Sequence, residues 1–206
     1  MRNIAFKYPW VFYLDADERS TPELQTGLHV AVAQPGDAAA FRIERRDIFR
    51  GRWLKHAQST SRYIRLFRPE RMRYERLVNP VSIVDGPVGE AAGHLLHYPF
   101  SKGLSHWIAR HNSYSSFEAA QIVANRASRA PFSLWRALFS SDFNERRFHQ
   151  KEVFYRLPMH PLVKFLYLYV LKRGFLDGRA GFTYAALVGM YEYFIVLKTR
   201  ELESRL

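Results

Sequence analysis

Residues 10–14, Trp-Val-Phe-Tyr-Leu, form an uninterrupted apolar run, and the run stops at three acids, Asp15, Asp17 and Glu18. A short run of this kind is the pattern of a strand covered on both faces, as in a parallel sheet. Behind the acids, Ser20 or Thr21 can cap a helix, Pro22 suits its first position and Glu23 complements the helix dipole. Leu24, Leu28 and Val32, four residues apart, predict the apolar face of that helix. Strand, acidic loop and helix in this order predict half of an α/β unit.

The acids have two readings. In an extended segment side chains two apart point the same way, which puts Asp15 and Asp17 on one side and Ala16 on the other. Two carboxylates at the C-terminal edge of a parallel sheet stand where open α/β sheets bind ligands. Hard oxygen donors without an intervening Cys or His suit Mg²⁺ or Mn²⁺ bridging to substrate phosphates. The other reading is an acidic turn that merely leads into a helix.

Composition narrows the partners. Lys and Arg number 31 against 19 Asp and Glu, a formal charge of +12, which favours an anionic partner: nucleic acid, phospholipid head groups or a phosphorylated substrate. The absence of cysteine excludes disulfides and thiolate metal sites from this chain. No recognition-helix, RRM-like or zinc-finger pattern is present, so the expected partners do not include nucleic acid. The first ten residues lack an apolar stretch of signal-peptide length, so export is not indicated.

Farther along, Phe41 and Ile43 alternate with Arg42 and Glu44, and Ser61–Pro69 carries a second strand-like run. The two predict an antiparallel hairpin, followed by short extended pieces punctuated by Pro80, Gly86, Pro87 and Gly89. From Ser101 the pattern becomes helical, with Ser101 as cap and Leu104, Trp107, Ile108, Tyr114 and Phe117 on one side. The apolar run at 162–171, with Gly174 as its expected C-cap, is too short to span a bilayer. The run at 180–197 is borderline and contains Glu192. Flanking Tyr, Trp, Lys and Arg suit helices lying in the head-group region; helices packed on the α/β part account for the pattern equally. The domain expectation is therefore an α/β part at 1–100 and a helical, aromatic, basic region at 101–206.

Five segments in order, "WVFYLDADERSTPEL", "FRIERRDIFRGRWLKH", "RYIRLFRPERMRYE", "VDGPVGEAAGHLLHYPF" and "FLDGRAGF", resemble bacterial family 2 glycosyltransferases of the branch that builds lipopolysaccharide core and exopolysaccharide. The resemblance implies a partial GT-A (Rossmann-like) domain. It implies that Asp15 and Asp17 hold Mg²⁺ or Mn²⁺ against the diphosphate of a nucleotide-sugar, Asp17 the more directly, with His97 of "LLHYPF" near that metal. It places Arg62, Arg65 and Trp53 among substrate-binding residues. Members of the branch carry a His-Glu pair before "VDGPVG" whose acid serves as base toward the acceptor hydroxyl. Asn79-Pro80 stands there in this chain, which leaves Glu75, Asp85 and Asp47 as base candidates, Glu75 the nearest. In the family a nucleoside-binding strand, helix and strand precede the acidic loop, whereas fourteen residues precede Asp15 here. The resemblance thus implies an N-terminally truncated member.

The expected function is inverting sugar transfer from a nucleotide-sugar to a lipid-linked or saccharide acceptor, by a cytoplasmic protein peripheral on the anionic inner face of the plasma membrane. The alternative is a non-catalytic remnant that acts as a membrane-surface or interaction module.

Overall fold

Two units make up the chain, Met1–Ser101 and Lys102–Leu206. A computed structural model describes residues 5–58, 60–75, 81–128 and 132–204.

In the first unit the strands are β1 (Val11–Phe12), β2 (Glu18–Ser20), β3 (Ala40–Phe49), β4 (Arg52–Trp53), β5 (Ser61–Phe67), β6 (Met72–Glu75), β7 (Val81–Val84) and β8 (Val88–His97), with helix α1 (Pro22–Ala33) between β2 and β3. The main sheet runs β1-β5-β3-β8-β2, with β4 paired to β3; β6 and β7 form a separate antiparallel pair. Its β3·β8 ladder is parallel and its other pairings are antiparallel, so the sheet is mixed. The unit is α/β, as its sequence predicts, but not an all-parallel Rossmann-like sheet.

The apolar run departs most from expectation. Only Val11 and Phe12 pair, antiparallel to β5 at the end of the sheet order, and Tyr13 and Leu14 are exposed. As an end strand it leaves one backbone hydrogen-bonding edge unpaired, yet Trp10 and Phe12 pack against one core cluster and Val11 against the other, so the run is covered on both faces until Tyr13. The β3·β5 antiparallel pairing forms as the alternation predicts, with Phe41 and Ile43 buried.

Helix α1 begins at the predicted signal. Thr21 is the N-cap; its Oγ1 accepts from the Leu24 N–H at 3.2 Å and donates to the His94 carbonyl at 3.0 Å, with Pro22 in the first turn. Such a cap contributes about 1 kcal/mol. The buried face is Leu24, Gly27 and Ala31, with Leu28 half-buried against the same core as expected; of the predicted residues Val32 alone is exposed. Small residues decide this. A Cβ on Gly27 would lie 2.1 Å from the Ala92 carbonyl oxygen, and one on Gly93 (φ +88°) 2.4 Å from the Leu24 nitrogen, so α1 seats directly on the β8 backbone. Leu24, Phe41, Ile43, Leu66 and Leu95 form the core on this side; Ala40, Phe67 and Met72 pack on the other.

The second unit contains α2 (Gly103–Ala127), α3 (Leu134–Phe139), α4 (Phe143–Phe154), α5 (His160–Leu166), a π turn at Tyr167–Leu171 and α6 (Gly178–Glu203). Lys102, not Ser101, precedes α2, and it makes no side-chain cap. Of the face predicted for α2 only Trp107 is buried. Arg173, at φ +57°, takes the left-handed position expected of Gly174. Helix α6 packs against α2 and α5 and buries Ala185, Gly189, Glu192, Ile195 and Thr199, while Gly181 seats on the Gly174 carbonyl. Its large apolar residues Phe182, Met190, Tyr193 and Leu197 face outward. By length and composition Gly174–Glu203 could cross a membrane.

Candidate functional site

The acidic loop is a turn rather than an extended segment. The Glu18 N–H donates to the Asp15 carbonyl at 3.0 Å, and the Tyr98 N–H donates to the Asp17 carbonyl at 2.8 Å, which ties the turn to the end of β8. The turn sends the two aspartates to different partners. Asp15 accepts from the Tyr13 hydroxyl at 2.6 Å and from Arg65 Nη2 at 2.7 Å; Asp17 Oδ2 lies 3.3 Å from His97 Nε2.

Strand register builds the floor beneath them. Glu18 on β2 is paired with His97 on β8, and His97 with Asp47 on β3, so these three residues form one row across three strands. His97 Nδ1 bonds the Asp47 carboxylate, so both ring nitrogens of His97 are occupied by carboxylates. Arg45 Nε sits 3.4 Å from Asp47 without hydrogen-bond alignment. Arg65 also donates to Glu18 Oε1 at 2.6 Å. Glu18 and Asp47 are buried, whereas Asp15 and Asp17 are part-exposed above them.

A bulge aims Arg65. The β3·β5 register slips between Phe41, opposite Leu66, and Arg42, opposite Ile64, which leaves Arg65 as the extra residue. It thereby joins Tyr13 and Tyr63, whose rings lie 4.9 and 5.7 Å from its guanidinium. Burial opposes its charge, but Glu18 and Asp15 outweigh that and raise its pKa. Burial likewise opposes ionisation of Asp15, but the Tyr13 hydrogen bond and Arg65 hold its carboxyl below the ordinary range.

Four carboxylates thus meet two guanidinium groups and one imidazole. This locally acidic centre in a basic chain would attract a cation. Among the described residues, however, no three His, Asp or Glu side chains converge as a metal site. The donor chemistry of the turn still fits a hard divalent ion, which commonly takes one or two carboxylates and completes its shell with water and substrate phosphates. Of the two aspartates, Asp17 has fewer competing partners, because Asp15 faces Arg65 and Tyr13.

The other sequence-predicted residues lie elsewhere. Arg62 is not beside Arg65: it pairs with Glu90 and, at 3.8 Å, with Glu44. Trp53 stacks under Arg46, 4.2 Å from the guanidinium to the ring centre, and its buried Nε1 has no acceptor among the described residues. Asp85 lines an open groove of about 920 Å³ with Tyr8, Arg71, Arg73 and Tyr74. None of Asp15, Asp17 and His97 lines that groove, but Tyr74 adjoins the cluster: burial raises its pKa, with Arg65 and Asp15 near enough to act on it. The Glu75 side chain and the Asn79-Pro80 pair lie outside the described residues.

Neither the pairing of Asp47 with His97 nor the place of Arg45 beside it follows from a motif. A signal was available, since the alternation that buries Phe41 and Ile43 carries on to Arg45 and Asp47. A charged pair on the inward face of a strand marks a built polar site.

No family model matches this chain, and no solved structure matches it.

Proposed function

We propose that the acidic cluster serves sugar transfer: the chain is a family 2-like, GT-A-type glycosyltransferase that moves a sugar from a nucleotide-sugar to a lipid-linked or saccharide acceptor in envelope polysaccharide or lipopolysaccharide assembly, with inversion. The observation that carries the reading is the meeting of "LDADE" and "LLHYPF": two segments about eighty residues apart in the chain join in the Asp17–His97–Asp47 contact. A plain helix-leading turn requires no such partner.

In this reading Asp17 would be the direct holder of Mg²⁺ or Mn²⁺, with Asp15, which is turned toward Tyr13 and Arg65, as the second carboxylate of the loop. The bound ion supplies Lewis-acid stabilisation of the departing diphosphate. The chain's own groups prepare the site. Asp47 holds the His97 ring, His97 orients the Asp17 carboxylate, and Arg65 clamps the turn through Asp15 and Glu18. Inversion is a single displacement that requires a base toward the acceptor hydroxyl. Of the three candidates Asp47 is buried and bonded to His97, which leaves Asp85 and Glu75, and the Asp85 groove is large enough for a saccharide.

The helical unit fits a peripheral place on an anionic membrane. It carries 16 Lys and Arg against 8 Asp and Glu. Its outward apolar residues include Leu134, Trp135, Leu138 and Phe139 of α3, each 61–71% exposed. Basic and aromatic-apolar surface together suit the head-group region. That surface equally supports the second reading, a non-catalytic membrane or interaction module, which the engagement of Asp15 by Arg65 also favours.

Calorimetry of the full chain with UDP- and GDP-sugars in Mn²⁺ separates the two. The transferase reading expects metal-dependent binding of at least one donor, weakened tenfold or more by Asp17→Ala. Absence of binding by every donor sinks it.

A further inference from the structure

The helical unit contains a second concavity, a groove of about 400 Å³ between the end of α2, the α4–α5 connection and the last turns of α6. Its walls are largely apolar, with Ile122, Leu157, Pro158, Met159 and Val196 among them. Arg126, Arg200 and Glu203 also line it. Arg126 is matched by Glu203 at 2.6 Å, whereas Arg200 has no side-chain partner among the described residues and is exposed. The groove therefore has apolar walls and one uncompensated guanidinium.

Two buried polar groups in the wall point to an occupant. His160 and Thr199 are 8% and 5% exposed, and among the described residues neither His160 Nε2 nor Thr199 Oγ1 has a hydrogen-bond partner. A buried polar atom left unpaired costs about 1–3 kcal/mol, so such atoms are rare unless a ligand or water completes them. Their roles can be read. The His160 ring hydrogen-bonds the Leu157 carbonyl, which assigns the proton to Nδ1 and leaves Nε2 as an acceptor. Burial lowers its pKa against that bond, which favours the neutral ring. The wall thus asks for a hydrogen-bond donor at His160 and a donor or acceptor at Thr199, while Arg200 asks for an anion.

We infer that this groove binds one molecule of a long-chain phosphate monoester, its chain along the apolar wall and its head at Arg200, His160 and Thr199. A phosphate monoester meets all three polar demands, because near neutral pH a fraction of it keeps one P–OH beside its anionic oxygens. A carboxylate amphiphile meets the anionic demand and can accept from the Thr199 hydroxyl, but brings no donor to His160 Nε2. The inference is independent of the sugar-transfer reading, since it rests on residues of the helical unit alone.

Calorimetry of the full chain with dodecyl phosphate, below its micellar concentration, tests it. Saturable one-to-one binding is expected. Arg200→Gln, at an exposed position, should weaken binding at least tenfold; Val196→Trp, which fills the groove, should abolish it with the melting temperature retained. Inorganic phosphate should give no detectable heat, and dodecanoate should bind several-fold more weakly than dodecyl phosphate. The inference is overturned if wild type shows no saturable binding, if Arg200→Gln binds as wild type does, or if dodecanoate equals dodecyl phosphate. It is also overturned if Val196→Trp breaks a dimer yet leaves dodecyl phosphate binding intact, which assigns the groove to a second copy. Should Val196→Trp fail to fold, the Arg200→Gln and dodecanoate arms decide.

Discussion

His97 on β8 and Asp47 on β3 stand opposite each other in the parallel ladder, and the imidazole Nδ1 bonds the buried Asp47 carboxylate. The pair lies under Asp17, which touches the other ring nitrogen, so a buried contact sets the direction of a part-exposed one.

That layering separates stability from binding. Asp47→Ala removes the anion from His97 and Arg45 in a buried setting and is expected to cost about 3 kcal/mol, read as a fall in the urea midpoint. Asp17→Ala removes a part-exposed carboxylate and should cost under about 1 kcal/mol. Equal costs at the two positions would contradict the layering.

Acid should act through Asp15. Its folded pKa lies below the ordinary 3.8, because the Tyr13 hydrogen bond and Arg65 outweigh burial. The unfolded state therefore takes up its proton first as pH falls, and the stability Asp15 contributes is present above pH 3.8 and lost as pH drops through the folded value. Arg65→Met is expected to raise the Asp15 midpoint in a carbon-13 carboxyl titration and to flatten the acid limb of the stability curve. An unmoved midpoint would show that Arg65 does not set it.

Membrane contact has its own reporter. Trp135 on α3 is 71% exposed, and insertion should shift its fluorescence to the blue on vesicles containing anionic lipid but not on neutral ones. Each buried large apolar side chain contributes about 1.5–3 kcal/mol, so the double change Trp135→Ala, Leu138→Ala should weaken partition, followed by sedimentation, at least tenfold. Partition that ignores salt and lipid charge would contradict an electrostatic share.

Glu192 makes the helical unit pH-sensitive in the opposite sense to Asp15. Burial raises its pKa from 4.5 to about 7, with Lys164 opposing and Glu118 adding. The folded state holds this proton more tightly than the unfolded one, so stability falls as pH rises from 4.5 to about 7, by on the order of 3 kcal/mol at most. Glu192→Gln keeps the volume and should remove the slope in urea midpoints between pH 4.5 and about 7. An unchanged slope would place the titration elsewhere.

Local structure was legible where neighbours in the chain decide it. Thr21-Pro22 starts α1 because a cap and its first turn are contiguous, and β3 pairs with β5 because alternation marks both. The π turn, the left-handed Arg173 and the ten-residue β8 left no such mark. The small residues of β8 read as punctuation, whereas Gly93 is there to let α1 touch the strand.

The sequence by itself determined that acids follow an apolar run, that a helix starts behind them, and that basic and aromatic residues crowd the C-terminal half. Only tertiary structure decided what those acids do. It turned the loop so that Asp15 and Asp17 diverge, brought His97 and Asp47 into one row with Glu18, and used a one-residue bulge to swing Arg65 onto their face while Arg62 pairs with Glu44 and Glu90. The physical reason is register. Which residues share a row, and which face a side chain takes, depends on pairing between strands far apart in the chain, and a slip of one residue reverses it.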